Sequence, residues 1–101
     1  MRHGLDEKII KQITDVVAKF PAIEKVLLYG SRAKGTHKNG SDIDLCLLGR
    51  DLDLALLSKL DLALDELFLP YSFDLSIYSK LSNQDLISHI DRVGIPIFSK
   101  N

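Results

Sequence analysis

The sequence predicts an α+β domain, one small mixed β-sheet with helices packed mainly on one face. Three observations predict it. Apolar residues recur at helical spacing near the start, the middle and the end of the chain. Short β-like runs, which alternate or stay apolar, lie between those stripes. Glycine and proline stop the elements in turn. The resulting order is α-β-turn-β-α-β-α, which places helices against a sheet rather than building a bundle or a sandwich.

The first element runs from Leu5 to Phe20, with Leu5, Ile9, Ile10, Ile13, Val16, Val17 and Phe20 on one stripe. Asp6 and Glu7 sit where a helix N-terminus favours negative charge, and Pro21 ends the element. Val26-Leu27-Leu28-Tyr29 reads as a strand stopped by Gly30. A polar, glycine-punctuated stretch, 31–41, follows. Ile43 to Leu48 is the second strand. Asp51 to Leu69 is leucine-rich and helical, closed by Pro70. Ser72 to Tyr78 alternates as a third strand. Ser82 opens a last helix through Leu86, Ile90 and Val93, closed by Gly94 and Pro96, and Ile95 to Phe98 can add an edge strand. No internal repeat, low-complexity tract or linker interrupts the 101 residues, so a single domain spanning 1–101 is expected.

Composition narrows the function. The apolar fraction is 46% and the charged fraction 27%, ordinary for a globular protein. With a net charge of -1 no overall basic field draws the chain to nucleic acid or anionic lipid, so phosphate binding must come from a local site. A nucleic-acid partner is not expected. Cys46 is the only cysteine, which rules out an intramolecular disulfide. There is neither a signal-peptide-like apolar core nor a run long enough to span a membrane, and a cytoplasmic location is expected.

The chemistry is carried by strand parity. On the second strand Asp42 and Asp44 point to one face while Ile43, Leu45 and Leu47 point to the other. On the third, Asp74 and Ser76 oppose Phe73, Leu75 and Ile77. If the apolar sets share the helix-covered face, the three aspartates share the open one. Clustered carboxylates repel and need protons or cations, and hard cations with oxygen ligands, Mg²⁺ above all, meet that need. An Asp-x-Asp pair alone usually marks a solvated strand face, but the same face also carries Cys46 and Leu48, and the third aspartate has matching parity.

The second feature is Gly30-Ser31-Arg32-Ala33-Lys34-Gly35, directly after a strand. Glycine permits close backbone approach, turn amides favour an anionic ligand, the Ser31 hydroxyl can donate to a phosphate oxygen, and Arg32 and Lys34 add positive charge. The plain reading is a tight turn with Ser31 as a helix cap. A Walker A loop is absent. Taken together, the turn and the acids are more specific than either alone.

Gly30-Ser31, ten intervening residues, then Asp42-Ile43-Asp44 resembles the signature of the polymerase-beta-like nucleotidyltransferase superfamily. The longer strings Tyr29 to Gly35 and Ser41 to Leu45 resemble its minimal nucleotidyltransferase (MNT) branch, that of the MntA-type antitoxins, and the likeness covers nearly the whole chain. The resemblance implies that Gly30 and Ser31 hold the triphosphate, that Asp42, Asp44 and Asp74 bind two Mg²⁺, and that Asp74 can accept the acceptor's proton. It implies in-line transfer of a nucleotide, AMP from ATP, with release of pyrophosphate. It also implies a small helical HEPN-type protein as partner and acceptor, in a toxin–antitoxin pair. Larger relatives carry an extra helical domain for the acceptor, and this chain does not, so a partner or a second copy of the chain is expected to complete the site. A nucleotide-binding or purely interacting subunit with little catalysis is the alternative.

Other residues read as structural. His3, His37 and His89 form no ligand cluster by spacing, His37 belonging to a solvated loop and His89 to a helix boundary. Cys46, Tyr29 and Tyr78 read as packing residues, and Arg92 and Lys100 as surface charges. Within the long helix Leu56, Leu60, Leu64 and Leu67 form a core stripe. Leu54, Leu62 and Leu69 fall on the opposite side, either as a partner surface or as incidental leucine.

Overall fold

A computed structural model describes residues 5–34 and 42–100. His3, His37 and the connection 35–41 lie outside the described residues, as do the side chains of Ser31 and Lys34. Four strands form one mixed sheet in the order β3-β2-β1-β4. Helix α1 (Glu7–Val17) precedes β1 (Ile23–Tyr29), the single turn α2 (Ser31–Lys34) and β2 (Ile43–Gly49). Helix α3 (Leu54–Asp65), β3 (Phe73–Ile77), a 3-10 turn at Tyr78–Lys80, α4 (Gln84–Val93) and β4 (Ile95–Ser99) follow among the described residues.

Local chemistry sets the boundaries. Asp6 caps α1 by accepting from the Lys8 amide at 2.9 Å, Asp53 caps α3 by accepting from Leu56 at 2.8 Å, and Asn83 caps α4 through Asp85 and Leu86. The long helix therefore starts at its Asp53 cap, later than the Asp51 the leucine pattern suggested. It also stops at Asp65, well before Pro70, and Phe68 beyond it takes a left-handed φ of 54°. The closing run 95–99 is a true edge strand, antiparallel to β1.

The β2–β3 pair is parallel and the other two pairs are antiparallel. A parallel pair needs a crossover, and α3 provides it. Helices α1 and α3 cover one sheet face. There Ile10, Ile13, Val17, Leu60 and Leu64 pack against Val26, Leu28, Ile43, Leu45 and Leu47, all buried. The opposite face carries a smaller cluster of Tyr29, Cys46 and Ile90, flanked by Leu27, Tyr78, Leu81 and Leu86. Helix α4 is thus placed across the sheet from α1 and α3. The acid-bearing face, expected to lack any cover from the chain itself, has α4 over part of it.

Candidate functional site

Parity puts the acids where the site forms. In the parallel β2–β3 pair Asp44 is the register partner of Asp74, and Cys46 that of Ser76. Residues paired in register on one face bring their side chains together. Asp44 is half-buried and Asp74 exposed. Burial first, then the negative charges of Asp74 and Asp42, push the Asp44 carboxyl above the ordinary carboxylate range. A hydrogen bond with the Asp74 side chain acts in the same direction, as expected when one carboxyl keeps a proton to share with the other. Asp44 and Asp74 therefore meet as a close pair.

Asp42 is different. It precedes the first residue of β2, is exposed, and reaches Asp44 through its charge. Among the described residues no three His, Cys, Asp or Glu side chains group tightly enough to hold a metal ion by themselves. The closed triad expected from parity is thus a pair with a third charge nearby, because Asp42 lies outside the ladder that fixes the other two. The donor set still suits Mg²⁺. It is all oxygen, its like charges are crowded, and Mg²⁺ commonly binds through one or two carboxylates with substrate phosphates completing its shell.

The turn is built against these acids. Gly30 has a φ of +76°, a region that favours glycine. A Cβ at Gly30 would collide with Asp44 Oδ2, so two separate constraints exclude a side chain. Its N–H donates to His89 Nε2 at 3.1 Å. The His89 ring meets Tyr29 edge-on, with centroids 6.2 Å apart and planes at 75°. His89 lies inside α4 and not at its boundary, and it reaches the turn. A signal was present in the sequence, since His89 follows Leu86 by three residues and so shares its helix face.

Tyr29 is buried, and its hydroxyl lies 3.4 Å from Ser76 Oγ. Burial pushes its phenol upward; the Ser76 hydrogen bond opposes this, and the charges of Asp74 and Asp44 add to it. Burial likewise raises the Cys46 thiol. Both groups stay protonated near neutral pH and pack beneath the acids. Tyr78 donates to Asp91 Oδ1 at 2.8 Å, tying the 3-10 turn to α4.

Arg32, grouped from sequence with the nucleotide-binding residues, is turned inward. It is 2% exposed, and its guanidinium lies 4.9 Å from the centre of the Tyr71 ring. A cation over an aromatic face is well placed energetically, so the Arg32 guanidinium ties α2 to Tyr71, ahead of β3. On α3, Leu54 and Leu62 are exposed, but Leu69 packs against the core, so the expected three-leucine patch does not form as a unit. No described helix is long and apolar enough to cross a membrane.

Comparisons with known proteins speak to the fold and the family. The sequence matches the family described as Polymerase beta, Nucleotidyltransferase over residues 11–101. No curated protein matches it significantly. A toxin–antitoxin structure with AMP-PNP aligns at a TM-score of 0.73 and 25% identity, covering 95% of this chain and 75% of the other. A mutant MntA–HpeT toxin–antitoxin aligns at 0.69 and 30% identity, over 95% and 74%. A tri-AMPylated HEPN toxin in complex with MNT antitoxin, from Shewanella oneidensis, aligns at 0.71 and 19% identity, over 95% and 74%, a likeness of fold. With the family match running from within α1 through β4, and a glycine turn packed on a paired-aspartate sheet edge, the chain belongs to the polymerase beta nucleotidyltransferase family.

Proposed function

We propose that this domain transfers AMP from ATP to a hydroxyl on a small HEPN-type protein, releasing pyrophosphate and acting as that protein's antitoxin. One observation carries the reading. Asp44 and Asp74 face each other in register, with Asp44 forced toward protonation and Gly30 backed directly onto it. Such crowding is unfavourable in a fold with no cation to bind. Support for the nucleotide and partner comes from the likeness to a toxin–antitoxin structure with AMP-PNP and to a complex whose HEPN toxin is tri-AMPylated.

Asp42, Asp44 and Asp74 would hold Mg²⁺, two ions on the family's pattern. When bound, Mg²⁺ would neutralise charge that develops on the entering and leaving oxygens. Gly30 would serve by its missing side chain, letting a phosphate approach the turn, and Ser31 would donate to the triphosphate. Asp74, exposed on the edge strand β3, is free to receive an acceptor from solvent. It would take the proton of the acceptor hydroxyl while the new oxygen–phosphorus bond forms and the bond to pyrophosphate breaks. The partner would supply the hydroxyl, its docking energy serving to orient that group.

The test is intact-mass analysis of a HEPN-type partner co-expressed with this chain. Added AMP is expected, and Asp74→Asn should lose it more completely than it loses ATP binding. An unmodified partner beside efficient transfer to a small alcohol would reject the protein acceptor and leave nucleotidyl transfer standing.

A further inference from the structure

Three parts of the molecule meet at Gly30. The first is the turn itself, in its left-handed conformation. The second is Asp44, whose Oδ2 lies too close to leave room for a Cβ on residue 30. The third is α4, whose His89 Nε2 accepts the Gly30 N–H across 59 residues of sequence. An amide can only donate, so Nε2 must be the unprotonated ring nitrogen. The ring is not free to drift. Ile90, next to it, is 1% exposed in the cluster with Tyr29 and Cys46, and the ring itself abuts Tyr29 edge-on. On its other side Asp91 accepts from Tyr78. Helix α4 is thus pinned at three consecutive residues, and the bond it extends to the turn comes from a fixed platform.

We infer that His89 is a positioning residue for the triphosphate: by holding the Gly30 amide it keeps the Gly30–Ser31 turn seated against Asp44. This rests on reading that turn as the phosphate-binding element. The consequence is specific. With its N–H held by α4, the Gly30 peptide is biased against rotating away from Asp44, which favours one spacing between phosphate and acid sites. Without the bond the peptide regains freedom about its glycine, and a ligand that needs both sites at once loses affinity, while one that needs neither does not. His89 acts through Gly30 and touches no substrate.

The experiment compares wild type, His89→Leu and His89→Gln by calorimetry with a nonhydrolysable ATP analogue plus Mg²⁺, and separately with adenosine. His89→Leu removes the acceptor at similar volume, and His89→Gln offers a carbonyl oxygen in its place. The expected result is roughly fivefold weaker triphosphate binding in His89→Leu, the effect of one neutral hydrogen bond. Adenosine binding should be unchanged, and His89→Gln should recover most of the loss. If wild type binds the triphosphate and His89→Leu binds it equally well, the positioning role is wrong and the nucleotide reading survives. Equal weakening in His89→Leu and His89→Gln likewise overturns it, since the acceptor would then not matter. If wild type binds no triphosphate, the reading of the turn itself fails and the inference with it.

Discussion

The two faces of this sheet are built on opposite terms. The face under α1 and α3 is a sealed apolar layer in which Ile13, Val17, Ile43, Leu45, Leu47, Leu60 and Leu64 are all fully buried. The other face has one short helix, a three-residue buried cluster, and two carboxylates in register with a third nearby. The first face carries most of the buried apolar core, and the second carries half-buried and exposed carboxylates beside a small cluster. A thin one-core domain tolerates such a face only when the sealed face is strong enough to hold the strands in place.

The contrast predicts the ranking of substitutions. Leu45→Ala, on the sealed face, should cost about 2–5 kcal/mol in denaturant unfolding, the range for a large-to-small change in a well-packed core. A loss under about 1 kcal/mol would mean the two faces share the load. Gly30→Ala comes next, at about 1–3 kcal/mol, since it strains a left-handed residue and collides with Asp44. Part of that cost should vanish in an Asp44→Ala background, because the atom it strikes is gone; strict additivity of the two changes would show that the collision plays no part. Asn83→Ala should cost about 1 kcal/mol through the lost α4 cap, and it should loosen the turn side of the site without disturbing the sealed core.

Asp44 gives the smallest effect on stability and the most informative sign. Its carboxyl is raised in the folded state, mainly by burial and then by Asp74 and Asp42. The folded state therefore holds that proton more tightly than the unfolded chain does. Its favourable contribution is present at acid pH and is lost as pH rises from the ordinary carboxylate range through the raised value. Asp44→Asn should remove this segment of the pH–stability curve and leave the neutral-pH apo protein no less stable. Thermal unfolding of both proteins from about pH 3 to about pH 8, which starts below the ordinary carboxylate range, would show it; a variant that loses stability at neutral pH would assign Asp44 a structural role.

Sequence and structure part company at points that have physical causes. Strand parity needs only a period of two, and it separated Asp44 and Asp74 from Ile43, Leu45, Phe73 and Leu75 correctly. It could not register that Asp42 falls one residue outside the ladder, because a strand end depends on pairing partners. Arg32 reads as a phosphate ligand wherever a basic residue follows a glycine turn. Its inward direction depends on Tyr71, far away in the sequence. Three residues after Leu86, His89 reads as a helix-boundary residue, yet it sits inside α4 and faces the acid side of the sheet. Helix periodicity carries no information about which side of a sheet a helix takes. Leu69 falls on the side of Leu54 and Leu62 only if the helix continues past Asp65, where it in fact stops, so no helical angle applies to it.

The claim that the acid face is built for a ligand and not for the fold is tested most directly by thermal unfolding with and without Mg²⁺ and a nonhydrolysable ATP analogue, in wild type and in Asp44→Asn with Asp74→Asn. Ligand at about a hundred times its dissociation constant stabilises a protein by about 2.7 kcal/mol, so the wild-type melting temperature should rise by several degrees. The double variant should show no rise, while its apo form melts at or above the wild-type apo temperature. A double variant that is strongly destabilised without ligand, or a wild type indifferent to Mg²⁺ and the analogue together, would contradict the account.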